Sequence, residues 1–354
     1  MPTFNAMEKT EASNHLNSVT LIHPNLNFMP TAPIYIYLEL IKKIKHGKRF
    51  RIFTNNPTAF PHPSIPNLYI TNLGNLAFQI MQDNIRNPFT TRRFQNTLIH
   101  PEIHLLSQLM LKHALHTFNI NAYQQIEHAC ETCFADFKVQ IQTRAFMTQS
   151  NSWEAKYRTC SNSYDRFLEF IYGETNIFEV HSLVVQRKRP NGLEPSFDDP
   201  DFRSLSAYEI VREKCSEIIQ AVWRKRRNNN VLGILSCEEI DLEQTCSIRL
   251  ILFVRRDFSD LIPFTETPLH QELESYLINH NLDRIAFGTV STMNSGISPL
   301  FQGQELNYYD LNQLHVGNRL AVLKAQLVIP NYWFRIRDNS CTLTIERSRN
   351  HYER

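Results

Sequence analysis

The stretch SAYEIVREKCSEIIQAVWRKRRNNNVLGILSCEEIDLEQTCSIRLILFV, residues 206–254, decides how this chain folds. Ser206, followed three residues later by Glu209, has the form of a reciprocal helix start. In that form the hydroxyl accepts from the third helical N–H while the acid reaches back to the cap. Tyr208, Val211, Cys215, Ile218, Ile219 and Val222 recur at three- and four-residue steps, which lines up one apolar face of a long helix. Its last turn, Arg224-Lys225-Arg226-Arg227, suits the negative end of the helix dipole. Residues 231–237 and 246–254 are short apolar runs that read as strands. The acidic loop between them (Glu238, Glu239, Asp241, Glu243) joins them as an antiparallel hairpin.

Upstream, residues 178–186 alternate and are rich in β-branched side chains, the pattern of a first strand; a Pro/Asp-rich loop follows over 191–202. Downstream, Thr267-Pro268 opens a helix with proline at its first position, and Leu269, Leu273, Tyr276 and Leu277 form its buried stripe. Residues 285–291 read as a fourth strand. Asp310 then caps a last helix that runs to Leu327 and is closed by Pro330, and residues 333–337 and 342–347 form a final hairpin or extended pair. The order β-α-β-β-α-β predicts the α+β class. Over residues 173–354 it predicts a split-βαβ (ferredoxin-like or RRM-like) four-stranded antiparallel palm with both helices on one face.

The first half is less patterned. Residues 1–30 are rich in Asn, Thr and Pro and predict a flexible tail. Residues 34–46 read as a helix, although Ile34-Tyr35-Ile36-Tyr37 also alternates like a strand, and Gly47 is placed for a left-handed C-cap. Pro57, Pro61, Pro63 and Pro66 rule out long regular elements over 51–75. Further on, Ile103, Leu106, Leu109 and Met110 keep helical spacing, as do Phe134, Phe137 and Ile141. So do Phe167, Leu168 and Ile171 in a helix stopped by Gly173, and residues 31–172 are therefore predicted to be a mainly helical region.

A hydrophobic fraction of 42% and a charged fraction of 20% place the chain among folded globular proteins rather than disordered ones. The net charge of +2 excludes a strong whole-molecule field toward nucleic acid, so local charge has to carry any such role. Seven scattered cysteines without framework spacing fit a reducing compartment. No window approaches the roughly 20 apolar residues that a bilayer span needs. With no secretory pattern at the amino terminus, the expectation is a cytoplasmic protein with no membrane partner.

Chemistry-bearing motifs are sparse. Cys130-Glu131-Thr132-Cys133 has no second pair to complete a zinc site and reads as two helix-face thiols. His100 with His104, and His113 with His116, have helical spacing. Pro101, however, stands where a metalloprotease-type helix places its general-base acid, so these read as ordinary core or surface histidines. No two glycines stand two apart, which excludes a phosphate-cradling glycine loop and with it a nucleotide cofactor; no nucleophile elbow occurs either. The basic clusters stand out: Arg224, Lys225, Arg226 and Arg227; Arg255 and Arg256; Arg335 and Arg337. Tyr308-Tyr309 and Tyr332-Trp333-Phe334 lie near the last of these, and aromatics beside arginines suit single-stranded nucleic acid.

Over residues 160–345 the layout resembles the inovirus-type replication-associated proteins, the YagK/YfjJ carboxy-terminal domain family. In that family a helix leads into a Leu-Val-rich strand ending in Arg, here Ser182-Leu183-Val184-Val185-Gln186-Arg187. A long helix follows, and then a strand that begins with a glycine-containing turn of apolar residues and ends in Glu, here residues 232–238. Next comes a His-x-His strand, here Ser247-Ile248-Arg249-Leu250-Ile251-Leu252-Phe253. A late helix then leads to an aromatic-basic run, here residues 320–327 and Tyr332-Trp333-Phe334-Arg335. The resemblance implies a His-hydrophobic-His endonuclease of rolling-circle replication: two imidazoles and a carboxylate hold a metal, and a tyrosine attacks the phosphodiester. This chain departs from it at the ligands. Ser247 and Arg249 replace the histidines, Glu238 alone keeps the third-ligand position, and Ala325 and Val328 stand where the tyrosine and its lysine would be.

The reading that follows is a DNA-binding, replication-initiator-like protein of phage or plasmid origin. It lacks the nicking site and has no metal or other cofactor, and Arg249 contacts a phosphate on the open sheet face. One alternative is a divergent Mg²⁺- or Mn²⁺-dependent nicking enzyme using the acidic loop, with Tyr308, Tyr309 or Tyr332 attacking. The other is a protein–protein module that docks a partner on the sheet.

Overall fold

A computed structural model describes residues 5–10, 31–47, 49–83, 97–117, 122–187, 205–240, 246–256, 264–279, 282–289, 308–313, 316–336 and 343–347. Internal contacts divide the chain into two units, one of residues 28–155 with 332–334 and the other of residues 1–27, 156–331 and 335–354. The division therefore falls inside a helix rather than at residue 173.

The first unit holds helices α1 (Thr31–His46), α2 (Asn72–Asp83), α3 (Pro101–Lys112) and α4 (Tyr123–Ile141), with the start of α5 (Arg144–Glu174). The proline-rich segment makes only two-residue strands, β1 (Phe53–Thr54), β2 (Phe60–Pro61) and β3 (Tyr69–Ile70), in the order β1-β3-β2; β4 (Thr97–Ile99) follows later. Residues 34–37 are helical, because Ile34, Tyr37, Leu40, Ile41 and Ile44 bury one face at helical spacing. Gly47 donates to the Lys43 carbonyl (2.8 Å) in continuation of the helix and lacks the positive φ expected of a left-handed cap.

The second unit is built on a six-stranded antiparallel sheet. Its strands are β5 (Ile177–Arg187), β6 (Val231–Ile240), β7 (Cys246–Arg255), β8 (Leu282–Thr289), β9 (Tyr308–Asp310) and β11 (Leu343–Arg347). The order is β11-β6-β7-β5-β8, and β9 pairs with the first residues of β5, where β8 does not reach. Its helices are the rest of α5, α6 (Leu205–Arg224), α7 (Pro268–Asn279) and α8 (Val316–Val328).

Alternation along β7 sorts the core into two layers. Ile248, Leu250 and Leu252 pack with Val211, Cys215, Ile218 and Val222 of α6 and Leu269, Leu273 and Leu277 of α7. Ile251 and Phe253 point the other way, toward Tyr164, Phe167 and Ile171 of α5 and Leu320, Leu323 and Leu327 of α8. Among the described residues, β5, β6 and β7 are therefore covered on both faces, in place of the open second face expected of a two-layer palm. Apolar residues on α5 and α8, at roughly 1.5–3 kcal/mol for each large side chain buried, drive that second covering.

Several local expectations change. The helix expected over residues 164–172 is part of the 31-residue α5, which runs through Gly173 to Glu174. α6 ends at Arg224, so Lys225, Arg226 and Arg227 lie in the turn beyond it rather than in its last turn. Asp310 does not cap a helix. It ends β9, its carboxylate accepts from the Asn312 backbone N–H (2.9 Å), and α8 starts six residues later. Strands β10 (Phe334–Ile336) and β11 are not a hairpin, since β11 pairs with β6. The predicted tail lies outside the described residues except for 5–10, where Asn5 and Glu8 cap one another across a helical turn.

Candidate anion-binding site

The turn after α6 is Asn228-Asn229-Asn230. Asn230 takes a left-handed backbone, φ 52°, which asparagine tolerates better than most residues, and this reverses the chain into β6. Val231 N–H to Arg226 O closes the turn on itself, and Arg255 N–H to Asn230 O ties it to the end of β7, both at 2.8 Å. Arg226, Arg227 and Arg255, from two separate sequence clusters, are thereby brought to one recess of about 250 Å³. Phe170 and Glu174, from the end of α5, and Asn230 complete its wall.

Each guanidinium is held differently. Arg226 donates to the Trp223 carbonyl (3.0 Å) and lies over the Trp223 ring (4.9 Å), which fixes its plane. Arg255 donates to the Glu174 carbonyl (3.0 Å) and stands 3.6 Å from the Glu174 carboxylate. Its Nε is buried with no hydrogen-bond partner, and a buried donor left that way costs about 1–3 kcal/mol. Arg227 is exposed. Three guanidinium groups against one carboxylate give the recess an excess of positive charge, the balance that suits an anion.

The other expected contacts are placed elsewhere. Arg249 is 2% exposed and donates to Ser182 Oγ (3.2 Å). By register it stands opposite Cys237 and Val184, on the face that α5 and α8 cover, so it does not present itself to a phosphate. Ser247 pairs with Glu239, whereas Glu238 pairs with Ile248. By backbone register, position 238, expected to supply the third ligand, is therefore one residue out of phase with positions 247 and 249. Arg335 is buried at 5% exposure, Arg224 and Lys225 are exposed outside the recess with Lys225 bridged to Glu272 (2.8 Å), and Arg337 lies outside the described residues.

The three candidate tyrosines lie in three different surroundings. Tyr309 is buried, stacked on Phe178 (centroids 5.3 Å apart) beneath the Arg319 guanidinium (4.3 Å). Burial raises its hydroxyl pKa above the ordinary tyrosine value despite that cation. Tyr332 belongs to the first unit, where its hydroxyl meets His100 Nε2 (2.9 Å). His100 Nδ1 accepts from the Glu102 N–H (3.3 Å), so the neutral ring carries its proton on Nε2 and donates to Tyr332 Oη. Tyr308 lies half-buried under Arg256 (5.4 Å).

Arg256 belongs to a second, partly buried group that the sequence patterns did not reveal. It bridges Glu179 (2.6 Å), which also meets His181 Nε2 (2.9 Å), while His181 stacks on Phe264 (3.7 Å). Burial pushes the Glu179 carboxyl up, but the His181 hydrogen bond and the neighbouring cations outweigh it and hold it below its ordinary value. An acid and a histidine two apart in an alternating strand share a face, and that spacing was the available signal.

A larger recess of about 650 Å³ lies in the first unit, where Arg51 and His128 face Glu127 and Glu131. Its two carboxylates outnumber its one guanidinium, so it does not carry the positive excess of the recess beside β7. Among the described residues no group of three or more His, Cys, Asp or Glu side chains could hold a metal ion, and no helix is long and apolar enough to cross a membrane. Comparison with protein-family models, with curated proteins and with solved structures finds no match to this chain.

Proposed function

We propose that this chain is a DNA-binding protein of the replication-initiator type, from a mobile element, that holds single-stranded nucleic acid without nicking it. The observation that carries the reading is the meeting of Arg226, Arg227 and Arg255 around one recess, walled in part by the Phe170 ring. Guanidinium groups hold phosphate oxygens through charge-assisted bonds, and an adjacent ring suits a base.

The strand order supports the kinship. Taken alone, β8-β5-β7-β6 with α6 and α7 packed on one face is the arrangement of a split-βαβ domain, to which β11 adds an edge strand. In this reading the packing around Arg249 replaces the metal pocket of active relatives, and binding has moved to the end of the sheet. Filter binding of single-stranded oligonucleotides at two salt concentrations tests it, because phosphate contacts make affinity fall with salt. Absence of salt-sensitive binding ends the proposal. Relaxation of supercoiled plasmid with Mg²⁺ or Mn²⁺ would instead establish the nicking alternative.

A further inference from the structure

The recess at the end of β7 has neither the shape nor the charge of a groove that tracks a strand. About 250 Å³ takes one phosphate with a neighbouring group, not a run of nucleotides. Its lining carries three guanidinium groups, Arg226, Arg227 and Arg255, and one carboxylate, Glu174, so 3 − 1 leaves two positive charges. An internal phosphodiester brings one negative charge, whereas a terminal phosphate brings about 1.5 to 2 at neutral pH and has three unblocked oxygens. Arg255 Nε, buried and without an acceptor, is the donor that such an oxygen would satisfy.

Building on the nucleic-acid reading above, we infer that this recess takes the phosphomonoester at the end of a nucleic-acid strand. The terminal phosphate sits among the arginines, Asn230 offers its amide at the rim, and the last base lies beside Phe170. The interior of the strand then contributes only the weaker, end-independent part of the binding.

The test uses the full chain and one short single-stranded oligonucleotide in three forms: 5′-phosphorylated, 3′-phosphorylated and unphosphorylated at both ends. Fluorescence anisotropy should give about tenfold tighter binding for at least one phosphorylated form. Inorganic phosphate should compete that advantage away. R227Q, at an exposed position, should abolish the preference while melting like the parent. K214Q on α6, which removes the same charge outside the recess, should retain it. Equal affinity for all three forms overturns the inference but leaves strand binding standing. A preference that survives in R227Q and in R226Q moves the end-binding site elsewhere and also overturns it. If no form binds, the nucleic-acid reading itself fails.

Discussion

Arg249 and Arg255 stand on the same strand with the same parity, six positions apart, yet they do opposite things. Arg249 lies mid-strand under α5 and α8, 2% exposed and bonded to Ser182. Arg255 lies where β7 ends, with its Nε unsatisfied beside a recess. The middle of the sheet is sealed on both faces, so a charge there serves the packing, whereas the ends of strands are where the chain turns and the layers stop. Position along the strand, not residue type, decides which arginine can meet a ligand.

The sharpest way to break that contrast is to truncate the sealed member. R249A should lose about 2–5 kcal/mol of stability, because it empties buried volume and strands the polar groups around it. R249M should recover much of that loss, since a long apolar side chain refills the space. Urea unfolding measures both. If R249A instead melted like the parent and lost oligonucleotide binding, Arg249 would be the contact and that face of the sheet would be open.

A second comparison sets the two faces against each other. Ile218 on α6 and Leu323 on α8 are 0% and 1% exposed on opposite sides of the sheet. I218A and L323A should each cost about 2–5 kcal/mol. A two-layer palm with an open second face predicts a near-zero cost for L323A, so the ratio of the two losses reads the number of layers directly.

These contrasts mark what the sequence could say. Alternation over residues 178–186 and 231–254, and the helical spacing from Val211 to Val222, specify strands and an amphipathic helix by local physics. The α+β class and the antiparallel β5, β6 and β7 were therefore legible. The second covering was not. α5 reads as an ordinary amphipathic helix, and nothing local says that Phe167 meets Phe253 rather than another helix. The same gap hid the site. Arg226 and Arg255 were each visible as basic residues, but their meeting depends on the left-handed turn at Asn230, and Phe170 arrives from a segment that reads as part of another region, with Glu174 just beyond its expected end. The Glu238 assignment failed for a smaller reason. Face membership has period two, and a motif aligned by type alone is as readily out of phase as in it.

At the open end of the sheet the expected effects are on affinity. The double variant R226Q/R227Q should weaken single-stranded oligonucleotide binding by roughly tenfold or more. It should also flatten the dependence of log affinity on log salt, by about one unit for each phosphate that is no longer neutralised. Its stability should change by less than about 1 kcal/mol, because Arg227 is exposed and Arg226 gives up one ring interaction and one hydrogen bond. An unchanged salt slope would remove the recess from the binding surface.

The smallest expected effect is a rate of chemical labelling, and it separates the two faces without any mutation. Cys215 lies on the buried face of α6, and burial pushes its thiol up to about 12, so almost no thiolate is present at about pH 8. Cys160 and Cys237 lie in the core that α5 and α8 close on the other side, with 2% and 5% exposure. In native buffer, alkylation followed by peptide mass spectrometry should find all three slow, and denaturant should accelerate each by orders of magnitude. A fluctuation that lifted α5 or α8 to admit nucleic acid would expose Cys160 and Cys237 while Cys215 stayed protected. Faster labelling of those two, slowed again by added oligonucleotide, would place binding on the sheet face. Equal protection leaves the strand end as the surface that meets the ligand.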